Sequence, residues 1–139
     1  MIFTEEICFS TCGNVDIVDL NQQVEMKVRE SNISNGIVTI FIPGATGSIT
    51  TIECEEGLLE DFKDIVEEII PHDHRNYKHN NELGGQNAHS HLRASLLGPS
   101  LTVPIVDGEL VLGAWQQIVF VDFDNMPRNR CLTLQIIGE

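Results

Sequence analysis

Residues 87–117 read NAHSHLRASLLGPSLTVPIVDGELVLGAWQQ, and the rest of the chain is organised around them. Two histidines and an arginine stand at the mouth of a short helix. A glycine and a proline end it, a hairpin follows, and the only tryptophan of the chain closes the run. Asn87 can cap a helix that begins at Ala88, its side-chain oxygen accepting a free backbone N–H. Gly98 suits the left-handed exit and Pro99 forbids continuation, so the helix has roughly two or three turns. On it Ala88, Leu92, Ser95 and Leu96 share one face. Asp107-Gly108, between the apolar runs 100–106 and 109–113, signals a two-residue hairpin, and Pro104 marks an edge or bulge in its first strand.

His89 and His91 lie two positions apart. On a strand they share a face; on a helix they point to nearly opposite sides. A shared metal therefore requires His89 in extended chain, with the helix starting near Ser90. Otherwise one of the two is a cap or a satisfied polar residue of the core. The helix mouth, with free N–H groups and partial positive charge, is a seat for an anion. Arg93 can add a bidentate fork for phosphate or carboxylate.

Upstream, residues 71–85 form a polar connection rich in Asn and His, long for a loop without structure of its own. It holds His72, His74 and His79, and Tyr77 beside His79 offers an apolar anchor that favours that histidine. Residues 57–70 read as an amphipathic helix ended by Pro71. Leu58, Phe62, Ile65, Val66, Ile69 and Ile70 are its buried face, and Glu60, Asp61, Asp64, Glu67 and Glu68 its solvated one. Residues 37–43, IVTIFIP, are a β-branched run of the kind buried on both faces. They stop at PGATGS, residues 43–48. Its glycines can bring backbone N–H groups near an anion, and Thr46 and Ser48 supply hydroxyls. It lacks the lysine and spacing of a P-loop, so it reads equally as a plain turn. Residues 49–52 form a further strand ending at Glu53.

Nearer the start, residues 5–12 can form a strand, Gly13-Asn14 a turn, and residues 20–30 a helix capped by Asp16 or Asp19. Leu20, Val24 and Val28 give that helix an apolar stripe, and Asn35-Gly36 breaks the chain after it. Downstream, residues 117–123 and 130–137 read as a second strand pair joined by residues 124–129.

A chain of 139 residues makes one domain with a real core, here residues 1–139, without internal repeats or a flexible linker. A formal net charge of −13 argues against general nucleic-acid binding or docking on anionic lipid, both of which need basic patches. Cys8, Cys12, Cys54 and Cys131 form no CxxC pair and read as free buried thiols. No cleavable leader or membrane-length apolar run is visible, and the chain reads as cytoplasmic.

The run HLRASLLGPSLTVPIVDGELVLGAWQQIVFVDFD, residues 91–124, with IFIPGATGSITTIE, residues 40–53, resembles the YjbQ family (UPF0047). ASLLG, VDG and G-x-WQ, in this order and spacing, carry the resemblance, which covers nearly the whole chain. It implies an α+β fold in which largely antiparallel or mixed β-sheets pack with two or three short helices, assembled as a homotrimer. It also implies a secondary thiamine-phosphate synthase activity, which joins a pyrimidine diphosphate to a thiazole phosphate and releases pyrophosphate. Where the family's loop carries a histidine this chain has Gly44, and where the family has an aspartate it has His89. The two changes look like the archaeal branch of the family, with a ligand swapped between loops.

The leading expectation is a metal-dependent enzyme acting on a small anionic or phosphorylated molecule. His79, His89 and His91 would hold a divalent metal, zinc-like rather than magnesium, because histidine suits transition metals. Glu53 would be general base or a further ligand, with Asp122 a second carboxylate. Arg93 would hold the anion, Gln116 would orient the substrate, and Trp115 would wall the pocket beside Thr46 and Ser48. A non-catalytic module binding a metal or metabolite, or a purely structural trimer, would use the same histidines.

Overall fold

The computed structural model describes residues 1–74, 76–81 and 86–139. Parts of the expected 71–85 loop, Arg75 and residues 82–85, lie outside the described residues. The strands are β1 (Ile2–Thr11), β2 (Asp16–Asp19), β3 (Gly36–Phe41), β4 (Gly47–Ile52), β5 (Ser100–Val106), β6 (Glu109–Leu110), β7 (Gln117–Asp122) and β8 (Arg128–Gly138). The helices are α1 (Asn21–Ser31), α2 (Glu56–Ile69) and α3 (Ala88–Leu97), with a 3-10 turn at Lys78–Asn81. Among the described residues no helix is long and apolar enough to cross a membrane.

Two antiparallel sheets result, a five-stranded one ordered β1-β8-β3-β5-β6 and a three-stranded one ordered β2-β7-β4. The main core lies between the sheets. Val38 and Ile40 of β3, Leu132, Leu134 and Ile136 of β8, and Ile118 and Phe120 of β7 meet there, with Leu20, Val24 and Val28 of α1. The expected α1 stripe is thus buried, although Asp19 reaches only the Asn21 N–H (2.9 Å) and Asn32 ends the helix in left-handed conformation. On the far side of the smaller sheet, Val119 and Val121 of β7 and Phe123 beyond it pack with Val66 of α2 and Ala94 of α3.

Three sequence expectations change here. The strand buried on both faces is β7, whose Ile118–Phe120 and Val119–Val121 sets feed the two cores alternately. β3 alternates instead, leaving Ile37 and Phe41 exposed, because the outer face of its sheet carries no helix. β7 and β8, expected to pair, lie in different sheets, and β8 is flanked by β1 and β3. Cys8 and Cys131 are opposite each other in the β1–β8 register and form a disulfide, while Cys12 and Cys54 are exposed rather than buried.

The hairpin at Asp107-Gly108 is as expected, both residues at positive φ (50° and 79°), though β6 is only two residues long. Helix α2 starts where the Glu55 carboxylate accepts the Gly57 and Leu58 N–H groups (2.8 Å each). Of its expected buried face Val66 is fully buried and Phe62 and Ile70 are half-buried; Leu58, Ile65 and Ile69 face out.

Candidate functional site

The site forms where β7 ends, the PGATGS loop begins β4 and α3 starts. Gly13, Asn14 and Val15 all adopt positive φ, and the Asn14 N–H donates to the Asp124 carbonyl (2.7 Å). A Cβ on Gly13 would fall 2.7 Å from that same oxygen, so the close approach needs glycine. This fixes a buried polar network. Asp122 is fully buried and accepts from Arg130 Nε and Nη2 (2.9 Å each), the Thr11 hydroxyl (2.6 Å) and the Asp124 N–H (2.9 Å). Burial alone would raise the Asp122 carboxyl; the hydrogen bonds from Arg130, Thr11 and the backbone outweigh it and hold its pKa below the ordinary aspartate value. Asp124, also buried, accepts from Arg128 Nε (2.8 Å), the Asn125 N–H (2.9 Å) and Asn87 (3.3 Å), and its pKa is likewise held down against desolvation.

Helix α3 is tied to this network by its polar side. Ser90 donates its hydroxyl to the Phe123 carbonyl, and Ser48 donates to the Ala94 carbonyl (3.0 Å). Ala88, His89, Ser90, Arg93 and Ala94 are its buried residues, while Leu92 and Leu96 face out. Asn87 is the N-cap residue, yet its side chain makes no cap bond. Asn80 caps instead, its Oδ1 accepting the Ala88 N–H at 3.1 Å, so the helix mouth is occupied by the chain itself.

The three histidines chosen from the sequence separate into two places. His79 and His91 come together, ring centroids 5.0 Å apart, with His79 Nε2 3.3 Å from Asn87 Oδ1. His89 is helical, not extended, so it points away and meets His72 at 6.2 Å. The one trio of His, Cys, Asp or Glu ligand atoms that gathers among the described residues is Glu6, Cys8 and Cys131, and its cysteines are bonded to each other. A three-histidine metal site within one chain therefore does not fit this arrangement. Tyr77 does anchor the loop, its hydroxyl donating to the Pro71 carbonyl (2.8 Å).

His89 is buried, and its Nδ1 has no hydrogen-bond partner among the described residues. Burial first, then the charges of Arg93 and His72, hold its pKa below the usual histidine value; Glu67 and Asp124 pull the other way and lose. The folded chain thus resists a proton that the unfolded chain accepts near pH 6.5. This stability is fully present above about pH 6.5 and is lost as pH falls toward the folded-state value. His89→Phe is expected to flatten the fall in urea midpoint between pH 7 and pH 5; an unchanged slope would remove His89 as its source.

The other chosen residues are placed as follows. Arg93 is buried and donates to the Ile70 carbonyl (Nε 3.0 Å, Nη2 2.7 Å) and to Glu67 (2.7 Å), where it ties down the end of α2. Glu67 also meets His72 Nδ1 at 2.6 Å. Thr46 accepts from Arg130 Nη2 (2.8 Å) and lies 3.4 Å from Asp124, and Ser48 is held by the Ala94 carbonyl, so the loop hydroxyls fasten the loop to β8 and α3. Glu53 is exposed beyond the far end of β4, about 20 Å of extended chain from Gly47. Gln116 belongs to that far end too, donating to the Thr51 hydroxyl (3.1 Å) and accepting the Gly113 N–H (3.0 Å). Trp115 is 73% exposed there and lines neither histidine cavity.

Two cavities share His91 and Leu92. One, about 430 Å³, lies between the loop and α3 and is lined by Gly44, Ala45, Gly47, His91, Ser95 and Pro99. The other, about 410 Å³, lies between Tyr77, Lys78, His79 and Ala88. The sequence reading missed Arg130, Asp124 and Asn80. The signal for the first two was present: two acids two apart at 122 and 124, then two arginines two apart at 128 and 130.

Fold and site together define an α+β protein of two antiparallel sheets, with a histidine-flanked groove where the smaller sheet meets α3. The family described as UPF0047 protein YjbQ-like matches residues 5–139, and the chain belongs to that family. A UPF0047 protein of Methanothermobacter thermautotrophicus is 38% identical over 138 residues, 99% of this chain and 94% of the relative. One from Archaeoglobus fulgidus is 39% identical over 125 residues, 90% of this chain and 94% of the relative. The crystal structure of a YbjQ-like protein of unknown function from Sulfolobus solfataricus superposes with a TM-score of 0.94 at 38% identity, covering 100% of this chain and 99% of that one. A hypothetical protein from Aeropyrum pernix gives 0.91 at 31%, covering 99% of each.

Proposed function

We propose that the two cavities meeting at His91 hold a small phosphorylated molecule and its reaction partner, and that the protein is a transferase resembling secondary thiamine-phosphate synthase. The observation that carries this reading is His91 itself. One imidazole stands in the wall of both cavities, with a second, His79, 5.0 Å away. In such a reaction the thiazole nitrogen bonds to the pyrimidine methylene carbon. The carbon–oxygen bond to diphosphate breaks, and its electron pair leaves with pyrophosphate. The work left to the protein is to align two reactants and to stabilise the departing charge. Imidazole N–H donors at the junction serve the second need without a metal.

Purified protein given both precursors is expected to release pyrophosphate. His91→Ala should lower the rate about 100-fold or more, the usual size of a positioned donor's contribution. Equal rates for the two proteins would remove His91 from the mechanism. Binding of either precursor without release would favour the non-catalytic module. The homotrimer belongs to the same proposal, supported by the outward leucines of α3 and by Ile65 and Ile69 of α2, apolar surface that a second copy would cover. Light scattering at the mass of one chain would remove it.

A further inference from the structure

Arg130 of β8 uses Nε and Nη2 on Asp122 and Thr46. Its Nη1 has no hydrogen-bond partner among the described residues, and it is not among their fully buried orphan atoms. Two N–H groups of a largely buried guanidinium are thus left without a partner among the described residues. The direction is given by Gly44. A Cβ built there would begin 3.7 Å from Arg130 Nη1 and 3.8 Å from Ile42 Cγ1, and Gly44 also lines the cavity that His91 shares. The absent side chain at position 44 is therefore a gap between the cavity and the arginine.

We propose that Arg130 Nη1, reached through the gap at Gly44, is the seat for a phosphate oxygen of the molecule bound in this cavity, and so selects phosphorylated ligands over neutral ones. The inference rests on the reading of the cavity given above and adds the residue that recognises the anion. A guanidinium suits this task because its remaining N–H pair keeps a fixed direction while the other nitrogens are held by Asp122. The Asp122 carboxylate offsets part of its charge, and Arg128 is occupied by Asp124, so the attraction is a local one of directed hydrogen bonds rather than a broad positive field.

The test uses inorganic pyrophosphate as the probe, with affinity read by isothermal titration calorimetry on the whole chain. Gly44→Glu places a carboxylate in the gap without touching the Arg130–Asp122 pair, since the Cβ contacts there are ordinary ones. It is expected to weaken binding at least tenfold with circular dichroism unchanged. Arg130→Lys, whose single ammonium cannot serve Asp122 and the gap together, is expected to do the same and covers the case in which the first variant fails to fold. Wild-type affinity in either folded variant overturns the seat. If His91→Ala weakens binding while Gly44→Glu does not, the seat falls and the cavity stands; if the wild-type chain binds no pyrophosphate, both fall.

Discussion

Asp122→Ala is expected to lower folding stability by about 3–5 kcal/mol, the usual consequence of leaving a buried charge without its partner. The carboxylate is fully buried, and Arg130, Thr11 and the Asp124 N–H all donate to it. Its removal leaves the guanidinium without its counter-charge, with only Thr46 still accepting from Nη2, strands the Asp124 N–H, and leaves the Thr11 hydroxyl only the Arg128 carbonyl at 3.3 Å. The total stability of a domain is about 5–15 kcal/mol, so the variant should be marginal at 25 °C. Urea unfolding at pH 7 checks it: the midpoint should drop sharply with the slope unchanged. The double variant Asp122→Ala/Arg130→Met should recover part of the loss, because it removes the stranded charge. A loss below about 1 kcal/mol, of the size expected for exposed pairs, would sink the account. The acid side carries the same physics. With its folded pKa depressed, Asp122 contributes stability above the ordinary aspartate value, and this is lost as pH falls through the folded one.

Phe120→Ala should cost a similar amount, about 3–5 kcal/mol, as a large-to-small change in a closed core. Phe120 is fully buried, packs edge-on against Phe9 with centroids 5.5 Å apart, and lies under the Arg130 guanidinium, 5.7 Å from ring centre to Cζ. It also explains Gly47: a Cβ there would collide with the Phe120 ring, so the loop can begin β4 only as glycine. The truncation thus frees both the floor of Arg130 and the start of the loop. Loss of stability together with weaker pyrophosphate binding is the expected result. Wild-type stability would show that the ring is not a packing element.

Local chemistry was legible in the sequence wherever a residue's own backbone preference settles the matter. Asp107-Gly108 turns, Pro71 and Pro99 follow the ends of helices, and the Leu20, Val24, Val28 stripe is buried. What failed was any inference about which neighbour covers a face. Residues 37–43 and β7 are both continuous apolar runs, and only the sheet arrangement makes β7 the one with a core on each side. The same is true of α3. Spacing put Ala88, Leu92, Ser95 and Leu96 on one face but not which way it turns; the buried contacts are made by Ser90, Arg93 and Ala94, because the end of β7 and the C-terminus of α2 present carbonyls to the helix. At the site, the spacing of His89 and His91 stated its own condition, extended chain at His89, and a helix that includes Ala88 does not meet it. Arg130 could not be chosen over Arg93 from spacing, since both are arginines near short polar loops. The choice is made by a carbonyl at Ile70, 23 residues from Arg93 in sequence, which takes that arginine out of use, and by a missing side chain at position 44, which leaves Arg130 reachable.

The pairing of β1 with β8 brings together residues as far apart as Cys8 and Cys131, 123 positions along the chain. During synthesis β1 therefore waits with an unsatisfied edge until residues 128–138 have been made, and β3 waits for the same neighbour. Contacts of such long range pay their loop-closure entropy before they return anything, which places refolding of this chain on the slow, millisecond-to-second side of small domains. Before β8 arrives, the open edges of β1 and β3 are the surfaces on which another chain could pair, so the growing chain is aggregation-prone at that stage.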